Sequence, residues 1–252
     1  MSFSKNIKEI SPPTRSSGII TDIRYFFFHK PKKPTLIKFK TEEDRENYNK
    51  RIVQRFGIDP EKFSVLNIHK IGVDAPPSYV FDELLRWNGD STCWPNYIAK
   101  IHLVNNNLEN IRVLLFGKEK YPLGFRKSFF GLRLLPLFNM NAIRIKCVPD
   151  PFDFDNARYL LYECSGGYPI GIFFMYVRSS IEDMGETEQA QLFLTVGFNF
   201  YGKEDWSSRL RIVDRIWQTI HNRVTANVVS RIKQLAEWRL SKMQNQQSRR
   251  SE

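Results

Sequence analysis

Cysteine is scarce in this chain, and long apolar segments are missing from it. The 252 residues include three cysteines, Cys93, Cys147 and Cys164. Their odd number and wide spacing give no zinc-binding pattern and no disulfide framework, which is typical of a protein kept in a reducing compartment. No apolar run approaches the roughly 18 residues of a membrane span, and Met1–Arg15 lacks the apolar core of a signal peptide. We therefore expect a cytoplasmic protein.

Motifs that mark common catalytic and metal sites are also missing. The chain contains no Gly-x-Ser-x-Gly, no P-loop, no Gly-x-Gly-x-x-Gly and no His-Glu-x-x-His. The acidic stretch Pro149–Asn156 lacks the Asp-x-Asp-x-Asp-Gly order of a calcium loop, and Cys164 has no base near it in sequence. We therefore expect no metal and no cofactor, and a binding protein is favoured over an enzyme.

The formal net charge of +11 is concentrated at the two ends of the chain. Lysine and arginine exceed aspartate and glutamate by six in residues 1–62 and by five in residues 204–252, whereas residues 63–203 are balanced. A nucleic-acid-binding domain more often carries its basic residues on the folded body, so nucleic acid is not favoured as a partner. Basic ends suit either solubility or contact with an anionic membrane surface, and both remain open.

Most of the central region is predicted to form an antiparallel sheet. Short β-rich segments follow one another with turn residues between them, and none has the strand–helix–strand pattern of a parallel sheet. The predicted strands are Tyr97–Val104, Leu108–Phe116, Ala142–Val148, Ala157–Cys164, Pro169–Ile181 and Gln189–Phe200.

One long helix is predicted after these strands, from about Trp206 to about Leu240, where the sequence has no proline and no glycine. Its apolar residues recur every three or four positions, so they share one face that needs a surface to pack on. We expect the polar tail Gln244–Glu252 to be disordered. The apolar positions are Leu210, Val213, Trp217, Ile220, Val224, Val228, Ile232 and Leu235.

A helix is predicted near the N-terminus, over Thr41–Phe56. It begins with an N-capping threonine and an acidic first turn, and Gly57 ends it. Its charged faces indicate a surface helix, with a narrow contact stripe of Tyr48, Ile52 and Phe56.

A strand and a short helix are predicted next, over Phe63–Val73 and Tyr79–Arg86. The turn between them contains two prolines, and Asp74 or Ser78 is predicted to cap the helix. Alternation places five residues of the strand on one face, and they are Val65, Asn67, His69, Ile71 and Val73.

The segment Ile71-Gly-Val-Asp-Ala-Pro-Pro-Ser-Tyr-Val-Phe-Asp-Glu-Leu84 resembles the first strand and first helix of the START-like superfamily, also called the helix-grip or SRPBCC superfamily. In that family the strand ends in a short Ala-Pro pair and the helix begins with a Val-Phe step. Trp94 resembles the tryptophan commonly found after the second short helix. The order of predicted elements from residue 63 to about 240 resembles the family as well, which includes lipid-transfer domains, polyketide cyclases and birch-type pollen allergens.

The resemblance implies an α+β helix-grip fold, in which a curved antiparallel sheet wraps around a long C-terminal helix, here with an N-terminal extension. It also implies a cavity for a hydrophobic small molecule between the sheet and the helix. We expect three parts: an N-terminal arm with a surface helix (1–62), a START-like ligand-binding domain (63–242) and a disordered polar tail (243–252). Nothing in the sequence indicates the oligomeric state.

Apolar residues of the long helix and of two strands are the expected lining of this cavity, although a one-residue error in strand alternation would exchange the faces. The same residues would form a dry core if side chains filled the space. A catalytic role for His69 and His221, which could meet at the cavity, is the weaker interpretation. The candidate lining residues are Val213, Trp217, Ile220, Val224, Ile172, Phe174, Leu194 and Val196.

The segment Tyr121–Met140 combines aromatic, aliphatic and basic residues and is broken by two prolines and two glycines. One interpretation is a buried segment that completes the core. The other is a gate over the cavity, or a loop that touches a membrane interface. The residues proposed for that role are Phe125, Arg126, Lys127, Phe129, Phe130 and Arg133.

Three functional hypotheses follow from the sequence. The leading one is a protein that binds a hydrophobic small molecule, a lipid or an isoprenoid, for transfer or sensing at a membrane surface. The second is an enzyme of the polyketide cyclase or aromatase kind on the same fold. The third is a basic, non-enzymatic protein that binds a polyanion or serves in stress.

Overall fold

One antiparallel sheet of seven strands organises the protein. A computed structural model describes residue 28 and residues 34–63, 65–86, 99–105, 107–115, 138–146, 158–165, 170–179, 190–198 and 211–251. The strands follow the spatial order β1-β7-β6-β5-β4-β3-β2, and every neighbouring pair is antiparallel. Their bounds are β1 Val65–Val73, β2 Ala99–Val104, β3 Asn107–Leu115, β4 Phe138–Lys146, β5 Arg158–Ser165, β6 Ile170–Ser179 and β7 Ala190–Phe198.

Within residues 34–63, 65–86 and 211–251, the α-helices are α1 Glu42–Tyr48, α2 Pro77–Leu85 and α3 Arg211–Ser251. The last helix packs against β1, β7 and α2. Strands β2 to β7 form a meander, and β1 pairs with β7. The first and last strands of the sequence are therefore neighbours in the sheet. The predicted helix-grip architecture, an antiparallel sheet with a long C-terminal helix on it, is therefore confirmed.

Other parts of the chain pack on both faces of the sheet. We call the side that faces α2 and α3 the inner face and the opposite side the outer face. The inner core contains Met175, Leu194 and Val196 of the sheet together with Val229 and Ile232 of α3. Burial of each such side chain contributes about 1.5–3 kcal/mol, so this core holds α3 on the sheet.

The outer face of β1, β5, β6 and β7 is covered by residues 34–63, which we call the strap. Val53, Phe56 and Ile58 of the strap are buried against aromatic residues of the sheet. The Phe56 ring centre lies 4.7 Å from that of Phe174 and 4.9 Å from that of Tyr159, distances at which aromatic pairs attract one another. The strap therefore shares a core with the sheet, and the predicted contact stripe of Tyr48, Ile52 and Phe56 belongs to it. The helix Glu42–Tyr48 buries no residue, as predicted for a surface helix.

The first helix of the strap begins as its sequence predicts. Thr41 and Asp44 form a capping box, in which each side chain accepts a hydrogen bond from the other residue's backbone N–H. Gly57 ends the helical segment at a positive φ of 79°, which glycine adopts without strain. The single predicted helix is in fact an α-helix, a π-helix over Asn49–Val53 and a 3-10 helix over Gln54–Phe56.

Two predictions about the other helices were wrong. Pro76 is the N-cap of α2, so neither Asp74 nor Ser78 caps it with a side chain; a proline at the first helical position needs no partner for an N–H group. The long helix continues to Ser251, through residues predicted to be disordered. That tail contains no proline or glycine, and helix-forming glutamine, arginine and methionine residues allow the helix to extend.

Candidate ligand site between the sheet and the long helix

His69, on β1, is the centre of a polar cluster on the inner face. Its side chain is fully buried. The Nδ1 atom lies 2.9 Å from Thr35 Oγ1 of the strap, and the Nε2 atom lies 3.3 Å from Asn222 Oδ1 of α3. Three separate parts of the chain therefore meet at one imidazole.

The strap brings Thr35 to this position by pairing with the edge of the sheet. The Ile37 N–H donates to Ile68 O, and the Lys70 N–H donates to Thr35 O, each at 2.8 Å. A single bridge joins Leu36 to His69. Because β1 is an edge strand of the seven-stranded sheet, the backbone N–H and C=O groups on its side away from β7 are available for this pairing.

The imidazole of His69 is neutral at physiological pH. Burial lowers the pKa of His69 to about 4, while the hydrogen bond to Asn222 acts in the opposite direction. Since Asn222 Oδ1 can only accept, Nε2 carries the proton, and Nδ1 accepts from the Thr35 hydroxyl. Of the two roles that the cyclase hypothesis offers His69, general acid or general base, a neutral imidazole near pH 7 does not suit that of an imidazolium acid.

His221 lies beside this cluster on α3. It is buried, and its ring centre lies 4.9 Å from that of Phe198 in an edge-on arrangement. Phe198 pairs with Val65 of β1, while the adjacent Asn222 contacts His69. The two histidines thus belong to the same region, as the sequence suggested, although His69 bonds to Asn222.

The C-terminal half of α3 is fastened to the end of β1 by polar contacts. Lys233 Nζ donates to Gly72 O at 2.8 Å and lies 2.6 Å from Glu237 Oε1. The same carboxylate oxygen accepts from the Asp74 backbone N–H at 2.9 Å. This arrangement, which we call the latch, fixes α3 where β1 turns into α2.

A buried ion pair between α2 and α3 lies near the latch. Glu83 Oε1 is 2.5 Å from Arg239 Nε, although the angles are not those of a hydrogen bond. Burial raises the pKa of Glu83, against the effect of the neighbouring arginines. The glutamate is almost fully covered, so the pair helps to fix the orientation of α2 on α3.

Burial along the apolar stripe of α3 decreases towards its N-terminal end. Val228 and Ile232 are 2% and 1% exposed, whereas Ile220 and Val224 on the same stripe are only partly buried. Ile216, at the edge of the stripe, is 56% exposed. The N-terminal half of α3, which the latch does not hold, therefore has apolar surface that the sheet does not fully cover.

The strand residues proposed as cavity lining divide between the two faces. Leu194 and Val196 lie in the inner core, on the face towards α3, and their role as cavity lining stays a prediction. Ile172 and Phe174 lie on the outer face against the strap, so their predicted position was wrong. Cross-strand pairing explains the separation. Val196 pairs with Phe173, so these two side chains share the inner face, and the residues on either side of Phe173, Ile172 and Phe174, point to the outer face.

Other proposed site residues fall outside what the structure describes. The structure describes the backbone of Val213 and Trp217 within α3 but not their side chains. None of the residues of the proposed gate or membrane loop is described, so that role stays a prediction. These residues are Phe125, Arg126, Lys127, Phe129, Phe130 and Arg133.

Sequence reasoning missed Thr35 and Asn222, which make both hydrogen bonds to His69. The alternation of β1 placed His69 and Asn67 on the inner face, but nothing in it named their partners. A polar residue at the edge of an apolar helix stripe, such as Asn222 beside Ile220 and Val224, was the available signal.

Reactive and metal-binding chemistry is sparse in the described residues. Cys164 is buried in the inner core, and burial raises the pKa of its thiol, so the side chain serves packing. Within the described ranges, histidine, cysteine, aspartate and glutamate form no group of three that could hold a metal ion. A search of the same ranges finds no helix with the length and apolarity needed to cross a membrane.

Comparison with known proteins gives structural likenesses only. No family model matches the chain, and no curated protein matches its sequence. The Zhui aromatase/cyclase from Streptomyces sp. R1128 is 16% identical with a TM-score of 0.44, over 70% of this chain and 95% of that one. A norcoclaurine synthase mutant from Thalictrum flavum, in complex with a transition-state analogue, is 8% identical with a TM-score of 0.33, over 66% and 94%. The Aha1 dimer from Colwellia psychrerythraea is 14% identical with a TM-score of 0.29, over 62% and 90%.

The fold is defined by the protein's own strand order, by the helix between β1 and β2 and by the long helix on the inner face. That architecture is the helix-grip fold.

Proposed function

We propose that the protein binds an apolar small molecule, a lipid or an isoprenoid, between the inner face of the sheet and the N-terminal half of α3. The observation that carries this proposal is the decrease in burial along α3, from Ile232 to Val224 and Ile220. Apolar surface left partly exposed beside a buried polar cluster is the usual composition of a small-molecule site.

The energetics suit a lipid-sized ligand. Removal of apolar surface from water contributes about 25 cal/mol per Å², so a ligand that buries about 300 Å² gains about 7 kcal/mol before entropy costs. The latch supports this arrangement because it holds one half of α3 on β1 and leaves the ligand to pack against the other half.

Binding of Nile red, an apolar fluorescent dye, tests the proposal. Wild-type protein should bind it saturably at one site, and Val224→Trp should weaken the affinity at least tenfold, because the indole occupies the space of the ligand. Ile143→Trp is the matched control, since Ile143 is 56% exposed on β4. Circular dichroism shows whether each variant folds, and Ile220→Trp serves if Val224→Trp does not.

Two results would overturn the proposal. One is the absence of saturable dye binding by the folded wild-type protein. The other is a dye affinity that is the same in Val224→Trp, Ile220→Trp and wild type.

We further propose that the site exchanges its ligand with anionic membranes, because the excess of basic residues lies at the two ends of the chain. Flotation with vesicles of phosphatidylcholine alone and with phosphatidylserine added tests this. Binding should need the anionic lipid and should weaken with salt. Equal binding to both vesicle types, or none to either, would contradict the membrane proposal and leave ligand binding intact.

A further inference from the structure

Asn67 places on the inner face a hydrogen-bond donor that has no partner among the described residues. It lies two residues before His69 on the same face of β1, about 7 Å away. Its Nδ2 atom is buried and makes no hydrogen bond within the described part of the chain. A buried donor left unpaired costs about 1–3 kcal/mol, so a partner supplied by a bound molecule would remove a real penalty.

The position of Asn67 under α3 follows from two contacts on either side of it. The His221 ring lies against Phe198, which pairs with Val65, and Asn222 bonds to His69. Asn67 lies between Val65 and His69 on β1. It therefore lies below the turn of α3 that carries Asn222, at the end of the incompletely buried stripe.

Asn222 provides a second donor at the same place. Its Oδ1 atom accepts from His69 Nε2. An amide nitrogen carries two donor hydrogens, and among the described residues the Nδ2 atom of Asn222 has no partner. The cluster thus combines the buried donor of Asn67 with a donor on the partly buried Asn222, and neither has an acceptor among the described residues.

In the described part of the chain, no hydrogen bond or ion pair joins a charged side chain to Asn67 or Asn222, and His69 beside them is neutral. Glu83 and Lys233, which lie between α3 and the rest of the protein, are paired near the latch. A carboxylate or phosphate bound at the amides would therefore be desolvated with no described cation bonded beside it, which is costly.

We infer that the ligand of this site is a neutral lipid whose polar end carries an acceptor oxygen, as in a ketone, an ester or an alcohol, and that Asn67 and Asn222 donate to that oxygen. This inference rests on the proposed function, and it adds the chemical class of the ligand and the residues that orient it. The apolar chain would then extend along Ile220 and Val224.

Displacement of Nile red by probes of matched chain length tests the inference. At pH 7.4, 2-heptadecanone should displace the dye at a concentration at least tenfold lower than palmitate or heptadecane. Asn67→Leu and Asn222→Leu should each reduce this ketone preference over heptadecane at least fivefold. Asn141→Leu, an exposed position on β4, should leave it unchanged.

The outcomes separate this inference from the proposed function. If the three probes displace the dye equally, or palmitate is preferred, the site binds apolar chains but the inference fails. The inference also fails if both leucine variants keep the ketone preference. If neither the dye nor any probe binds to the folded protein, the proposed function itself fails.

Thermal unfolding of the delipidated protein gives a readout that does not depend on ligand binding. Asn67→Leu removes the unpaired donor and keeps a similar volume, so its Tm should rise by a few degrees over wild type. The same substitution should abolish the rise in Tm that 2-heptadecanone causes in wild type. A delipidated Asn67→Leu variant with a Tm several degrees below wild type would show that the amide serves the fold, and would contradict the inference.

Discussion

Thr35 Oγ1 lies 2.9 Å from His69 Nδ1, so the first residues of the strap, which packs on the outer face of the sheet, reach the polar cluster on the inner face. The contact connects the strap, β1 and α3. A segment that pairs with the edge of β1 holds a hydroxyl, and the hydroxyl donates to Nδ1 of a buried histidine. The histidine meets α3 through Asn222, whose Oδ1 atom sets the tautomer.

Thr35→Val should destabilise the protein by about 1–3 kcal/mol, because it keeps the shape of the side chain and leaves Nδ1 of a fully buried imidazole without a donor. Urea denaturation followed by circular dichroism measures the loss. Thr35→Ser is the matched control and should stay close to wild type. Equal stability of the valine variant and wild type would show that the hydrogen bond is energetically unimportant.

The stability of the protein should fall as the pH is lowered from about 6.5 to about 4. The pKa of His69 is lowered from 6.5 in the unfolded chain to about 4 in the folded one, so the unfolded state binds the proton first. The contribution is present in full above pH 6.5 and is lost towards pH 4, and it amounts to about 3 kcal/mol.

The matching variant is His69→Gln, which removes the titrating group. Urea denaturation at pH 7 and at pH 4.5 should give a smaller difference in unfolding free energy for the variant than for wild type. The subtraction cancels the carboxyl groups that titrate in both proteins. An identical pH dependence of the two proteins would contradict the buried, neutral state of His69.

Lys233→Met should destabilise the protein by about 1–3 kcal/mol, because it removes the donor to Gly72 O and leaves Glu237 without its ion-pair partner. Lys242→Met is the matched control. Lys242 is exposed, and its ammonium lies 5.1 Å from the Trp238 ring centre, a contact worth about 0.5–1 kcal/mol. If the two variants lose the same stability, the latch does not hold α3.

The fold was largely predictable from local patterns, as β1 and the first helix of the strap illustrate. The period of two along a strand placed His69 and Asn67 on one shared face of β1, and a threonine followed by acidic residues marked the start of α1. These signals are local, because each depends on residues within one turn or one pleat.

The side-chain faces of β6 could not be predicted in the same way. Every residue from Ile172 to Val177 is buried, so apolar character does not alternate along this strand. An antiparallel strand that is apolar on both sides indicates that something covers each face. That signal pointed to the strap, whose Val53, Phe56 and Ile58 provide the second cover.

Gly197→Ala should destabilise the protein by about 1–3 kcal/mol through overpacking on the outer face. A Cβ atom at this position would lie 2.6 Å from Ile172 Cγ2 and 2.7 Å from Phe63 Cδ1. Phe63 belongs to the end of the strap, so its ring packs directly on the glycine.

A double-mutant cycle with Phe63→Ala checks the cause. The double variant should be less destabilised than the sum of the two single variants, since the truncated side chain no longer opposes the new methyl group. Additive free energies of unfolding would show that the strap does not pack on Gly197.

Native mass spectrometry of the freshly purified protein tests the central claim most directly, because it asks whether a molecule occupies the space between the sheet and α3. We expect a population that carries one additional small-molecule mass, which denaturation releases and organic solvent extracts. The adduct should be lost in Val224→Trp and kept in Ile143→Trp. A bare polypeptide mass in wild type, before and after incubation with 2-heptadecanone, would contradict the account.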